Sequence, residues 1–160
     1  MIVVSDAGPL LYLGAVNRLS VLERLFQRVV VPRSVWDEVV TAGVGRAGAA
    51  AVADATWIVV LDVPVTSVPP DARRHLDPGE ADGIQIALHI HADLFLCDDR
   101  AGRAVAGDCG LPVIGTLGVL VRARQEGLIA AIRPEIEAIL AMGFRASPAL
   151  VARVLEQVGE

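Results

Sequence analysis

The sequence contains no lysine: its fourteen basic side chains are all arginine, set against nineteen carboxylates for a formal net charge of −5. That balance excludes a protein coated with positive charge to package nucleic acid. An all-arginine complement suits phosphate recognition, and a GC-rich gene leaves the same bias without functional meaning. Cysteine is scarce, and Cys97 and Cys109 lack the paired spacing of a zinc or redox motif, so both are expected to be free thiols in a reducing compartment. Long apolar runs are missing too. The longest stretch without charge, 109–121, has thirteen residues and is too short to cross a bilayer. The first apolar stretch has no basic residues before it and carries Asp6 inside it, which is unlike an export signal. A cytoplasmic protein with no membrane partner is expected.

What is present is a large apolar fraction. At 160 residues and 54% hydrophobic content, the chain can bury roughly 70% of its unfolded surface, and a single domain over 1–160 is expected. Five short runs, at 2–5, 28–32, 57–62, 93–98 and 112–115, are continuous and mostly β-branched, as in strands covered on both faces. Helical stretches separate them, one with a capping box expected at Ser20 and Glu23. The alternation predicts a three-layer α/β/α sandwich around a mainly parallel sheet over 1–115. Helices alone follow over 116–160, where they are expected to cover a sheet edge or a partner, and Ser147–Pro148 marks the start of the last. The Gly/Ala-rich stretch 41–56 is expected to be partly helical, and 63–79 to be a proline-rich loop.

Ligands of open α/β sheets bind beyond the carboxyl ends of the strands. Asp6 closes the first run there, and Asp98 and Asp99 close the fourth. Glu80 stands eighteen residues before Asp98, in the first turn of the preceding helix, and Glu38 lies one turn into the helix after the second run. Right-handed crossovers bring all of them to one end of the sheet. Two carboxylates about 5 Å apart repel by roughly 3 kcal/mol at an effective dielectric of about 20. With no lysine to offset such a cluster, a hard divalent cation, Mg²⁺ or Mn²⁺, is the simplest resolution.

Each acid also has a plainer use. Asp99 can cap the helix that follows, Glu80 can complement a helix dipole, and Glu38 can be an ordinary solvent-facing residue. Asp6 has little to cap. Asp37 and Asp82 are expected at the surface, as are Arg100, Arg103 and the Arg73–Arg74–His75 cluster. His89 and His91, two residues apart, cannot share a helix face.

The order of strand-ending Asp6, helical Glu38, "GEADGIQIAL" with Glu80 and "LFLCDD" with Asp98 resembles the PIN-domain family of metal-dependent ribonucleases. The carboxyl-terminal "VIGTLGVLVRARQEGLI" and "GFRASPALVARVLEQVGE" are similar to a branch related to VapC-type toxins. The resemblance implies an endoribonuclease that hydrolyses RNA with Mg²⁺ or Mn²⁺, the toxin of a toxin–antitoxin pair, and a homodimer. Carried over by position, Asp6, Glu38, Glu80 and Asp98 are its catalytic and metal-binding quartet, with Asp99 auxiliary. One departure is plain: Ala7 and Gly8 follow the first Asp where many members have Ser or Thr. Thr116 offers a hydroxyl near the same rim, with helix capping as its plainer use.

Other chemistries fit less well. Six aromatic residues, mostly in core-like patterns, argue against the stacking platforms of a glycosidase. A phosphoaspartate receiver or haloacid-type phosphatase needs its acid pair on the first strand and a lysine near the last. The remaining alternative is a non-catalytic PIN-fold module that binds RNA or a protein partner; the low basic content favours it, the intact acids oppose it.

Overall fold

The structure is a computed structural model and describes residues 1–63 and 68–160. Five strands, β1 (Val3–Ser5), β2 (Val29–Pro32), β3 (Ile58–Leu61), β4 (Leu94–Leu96) and β5 (Val113–Ile114), form one sheet. Their order is β3-β2-β1-β4-β5 and every pairing is parallel. Each strand falls within one of the five runs expected from the sequence, and the α/β sandwich is the observed fold.

Helices cover both faces because the strand residues alternate between two cores. Val3, Val29, Val31, Leu94 and Leu96 face one, shared with α1 (Ala7–Ala15) and α2 (Ser20–Phe26). The carboxyl-terminal helices α8 (Thr116–Gln125), α9 (Arg133–Ala141) and α10 (Pro148–Val158) join that core through buried residues such as Leu120, Ile136 and Leu155. They therefore complete a face of the chain's own sheet rather than an edge. Val4, Phe95 and Cys97 face the other core, shared with α6 (Pro78–His89) and α7 (Arg100–Asp108). Short helices α3 (Arg33–Trp36), α4 (Ala49–Asp54) and α5 (Pro70–Arg73) complete the fold.

Two expectations need correction. Leu19 is already helical, at φ −57° and ψ −36°, and makes no side-chain cap, so the expected box at Ser20 does not form. In the stretch 63–79, Pro70–Arg73 form a helical turn, while residues 64–67 lie outside the described residues. The cap at Ser147 forms where the sequence places it, its hydroxyl accepting from the Leu150 N–H at 3.1 Å.

Candidate metal centre

Register carries the acids to one rim. β1 and β4 pair Ser5 with Leu96, and the Asp6 N–H continues the ladder to the Leu96 carbonyl at 2.9 Å. The next residues on the two strands, Asp6 and Cys97, thus stand side by side where the sheet opens. β5 pairs Ile114 with Leu96, which sets Gly115 and Thr116 beside Asp98. On the other flank, β2 ends at Pro32 and leads through α3 into a π-helical turn, Asp37–Thr41, that carries Glu38.

The fourth participant comes from α6, whose first turn is fixed by a capping box. Asp77 Oδ1 accepts from the Glu80 N–H at 2.8 Å, and Glu80 Oε2 accepts from the Asp77 N–H at 3.1 Å. Glu80 therefore serves the helix and faces the rim at once. Asp77, absent from the sequence-based candidates, becomes part of the acidic wall, although Asp-Pro-Gly-Glu carries the spacing of a capping box.

Asp6, Glu38, Glu80, Asp98 and Asp99 line one pocket of about 610 Å³. Asp6 and Glu80 also meet the buried Cys97 beneath the pocket floor, the donor atoms of the three lying within 4.8 Å of one another. Glu38 and Asp98 line the pocket outside that trio. Asp6 is 7% exposed and Glu80 4%. Burial pushes the Asp6 carboxyl up to about 7, against the opposing hydrogen bond from the Ala7 N–H, and Asp77, Glu80 and Glu38 add repulsion. Glu80 is likewise pushed up to about 7 by burial, with the Asp77 N–H opposing and Asp77 and Asp99 reinforcing. Glu38 is raised by burial and by Asp77, while Arg46 draws it back.

Asp98 is held differently. Its Oδ1 accepts from the Thr116 N–H and its Oδ2 from the Thr116 hydroxyl, both at 2.7 Å. Burial raises its pKa, Thr116 opposes the rise, and the Arg103 guanidinium opposes it further. Thr116 is therefore no mere helix residue: it orients Asp98. Arg103 is exposed, as expected, while its guanidinium donates to the Cys97 carbonyl at 3.1 Å.

Small residues keep this geometry open. A Cβ at Gly8 would lie 3.0 Å from Asp98 Oδ2, and one at Gly115 would lie 2.6 Å from Asp98 Oδ1. Gly8, the second residue of the departure after Asp6, is thus the space against which Asp98 packs.

The plainer readings hold in places. Asp99 is a helix cap, its Oδ2 accepting from the Ala101 and Gly102 N–H groups at 2.7 and 3.3 Å. Asp82 was expected at the surface but accepts from the Ser34 hydroxyl at 2.6 Å and lies 3.8 Å from the Arg73 guanidinium. Asp37, Arg100, His75, His89 and His91 are exposed. Cys97 is fully buried and its thiol pKa is raised, mainly by burial and next by Asp6; Cys109 is half-buried, and both are free.

The donor set fits a hard divalent cation. Asp6 and Glu80 are buried carboxylates in mutual reach, and among the described residues neither is in an ion pair with a basic side chain. Their raised pKa values come first from burial and next from neighbouring acids, and a cation relieves both.

A family model described as a PIN domain (DUF3368) matches residues 2–160. No curated protein matches the sequence. Among solved structures, the chain is similar to a PilT N-terminus domain protein from the hyperthermophilic archaeon Sulfolobus solfataricus P2. The TM-score is 0.58 at 15% identity, over 77% of this chain and 93% of that one, a likeness of fold. Among the described residues no helix is long and apolar enough to cross a membrane.

Proposed function

The chain belongs to the PIN-domain family, and from that premise we propose that it is a divalent-metal-dependent endoribonuclease whose site is Asp6, Glu38, Glu80 and Asp98. PIN domains are generally metal-dependent nucleases. The observation that carries the proposal is the pair of buried carboxylates, Asp6 and Glu80, with donor atoms within 4.8 Å and no basic partner among the described residues.

In this reading Asp6 and Glu80 hold the ion deepest, with Asp98 and Glu38 completing the wall that meets it. Mg²⁺ or Mn²⁺, when bound, supplies polarisation of a phosphoryl oxygen and an acidified water for in-line attack. Thr116 keeps both Asp98 oxygens aimed by its N–H and hydroxyl. Glu80 keeps Oε2 on the Asp77 N–H, which leaves its other oxygen to face the ion or the water beside it. Asp99, committed to its helix cap, assists by charge alone. The neighbouring Cys97 sulfur stays a neutral thiol against the acids.

The finer reading is that of a cytoplasmic toxin, restrained by an antitoxin and acting as a homodimer, with the whole of 1–160 as one domain. Family likeness supports it, and co-expression with the adjacent reading frame tests it by relief of growth arrest. The nuclease reading is tested with end-labelled single-stranded RNA. Fragments should form with Mn²⁺ or Mg²⁺, vanish in EDTA and vanish in Asp6→Asn. RNA that is bound but never cut under any ion would leave the non-catalytic module instead.

A further inference from the structure

Three of the four acids are held by bonds of their own. Asp6 takes the Ala7 N–H, Glu80 the Asp77 N–H, and Asp98 both donors of Thr116. Glu38 is the exception. It is exposed, and among the described residues no hydrogen bond or ion pair holds its carboxylate, although the charge of Arg46 is felt there. Where it stands is therefore decided by the backbone that carries it.

That backbone is α3 and the π-helical turn, which run on without a break: Trp36 and Asp37, at the junction, are both right-handed helical. Ser34 stands one turn before Glu38. Its hydroxyl donates to Asp82 Oδ2 at 2.6 Å across the seam between α3 and α6, and Asp82 lies 3.8 Å from the Arg73 guanidinium of α5. Ser34 and Asp82 are half-buried, and neither lines the acid pocket. The seam is tight beside them. A Cβ at Gly79 would lie 3.0 Å from Val35 Cγ2 and 3.2 Å from Asp6 Oδ1, and one at Gly83 would lie 2.8 Å from the Phe95 ring. Glycine at these two positions, one turn apart, lets α6 press on Val35 and on β4. A slip at the seam thus moves Glu38 against Glu80, with little slack to absorb it.

We propose that Ser34 and Asp82 are positioning residues whose hydrogen bond, outside the pocket, sets the separation of Glu38 from Glu80 and so completes the cation site. The proposal rests on the metal-dependent reading above and adds to it a pair that touches neither ion nor substrate. A hydroxyl-to-carboxylate bond of this length is of the charge-assisted kind, and it ties the one helix whose acid has no tether to the one whose acid is tethered twice, by burial and by the capping box. Partners behind metal ligands govern affinity through the ligands they orient.

The test measures Mn²⁺ binding to the full chain at pH 8, from the electron paramagnetic resonance signal of the free ion. Ser34→Ala should weaken binding by about tenfold, and Ser34→Thr, which keeps the hydroxyl, should recover most of the loss. The deciding comparison is made in a Glu38→Ala background. There Ser34→Ala should change the affinity by less than about twofold, because the carboxylate it positions is gone. A merely structural staple would instead weaken binding by the same factor with Glu38 present or absent. That result, or Ser34→Ala binding Mn²⁺ as wild type does, would overturn the positioning role and leave the metal centre standing. Wild-type chain that binds no Mn²⁺ would remove the metal centre itself, and the positioning role with it.

Discussion

Metal-free protein should lose stability as pH rises, opposite to the usual behaviour of a paired carboxylate. Asp6 moves from an ordinary carboxyl value of 3.8 to about 7 on folding, chiefly through burial. The folded state thus keeps a proton that the unfolded chain has already released. The associated stability is fully present below the unfolded value and is lost as pH climbs through about 7. Three pH units correspond to about 4 kcal/mol over the whole window, and the part between pH 5.5 and 8 is about 2 kcal/mol. With a urea slope of about 2 kcal/mol per molar, the unfolding midpoint in EDTA should fall by about 1 M between those pH values. Glu80 shifts in the same direction and repels Asp6, so the two act as a coupled pair. The assay is urea unfolding by circular dichroism on wild type and Asp6→Asn, with and without Mn²⁺. Asp6→Asn should flatten the pH slope, and Mn²⁺ should raise the wild-type midpoint most at pH 8. A wild-type midpoint that stays level from pH 5.5 to 8, or an Asn variant with the wild-type slope, would show that buried Asp6 does not hold its proton in the folded state.

Substitutions at three further residues probe the supports. Thr116→Val removes the 2.7 Å hydroxyl bond to Asp98 and should cost about 1.5–3 kcal/mol in unfolding free energy, with cleavage reduced; Thr116→Ser should recover most of both. Gly115→Ala places a Cβ 2.6 Å from Asp98 Oδ1, so Mn²⁺ affinity, read by calorimetry, should fall at least tenfold while the circular dichroism spectrum is retained. Asp77→Ala breaks the capping box and should lower stability by about 1 kcal/mol. The loss should be larger at pH 5.5 than at pH 8, where removing its charge relieves Asp6 and Glu80.

The parts of this site legible in the sequence are those that local chemistry announces. Asp6 and Asp98 stand out because apolar strand runs end on them, and Glu80 because it opens a helix. Glu38 sits on a π-helical turn that apolar periodicity does not reveal. The Thr116 hydroxyl was expected near the rim, but its hold on Asp98 and the arrival of Arg103 and Cys97 depend on the pairing of β1, β4 and β5, and that register is a property of the folded sheet. Asp82 seemed exposed because its partners, Ser34 and Arg73, are distant in the chain. The box at Ser20 carried a local signal that the turn already formed at Leu19 overrides.

If Asp6 and Glu80 form a divalent-cation site, their crowding is relieved when the ion binds. The most direct measurement is equilibrium binding of Mn²⁺, read from the electron paramagnetic resonance signal of the free ion at pH 8. Wild-type protein should bind Mn²⁺ with release of protons into weakly buffered solution, and Asp6→Asn and Asp98→Asn should each lose most of that affinity. Wild-type protein that leaves the Mn²⁺ signal unchanged, or an Asp6→Asn variant that binds as tightly as wild type, would contradict such a site.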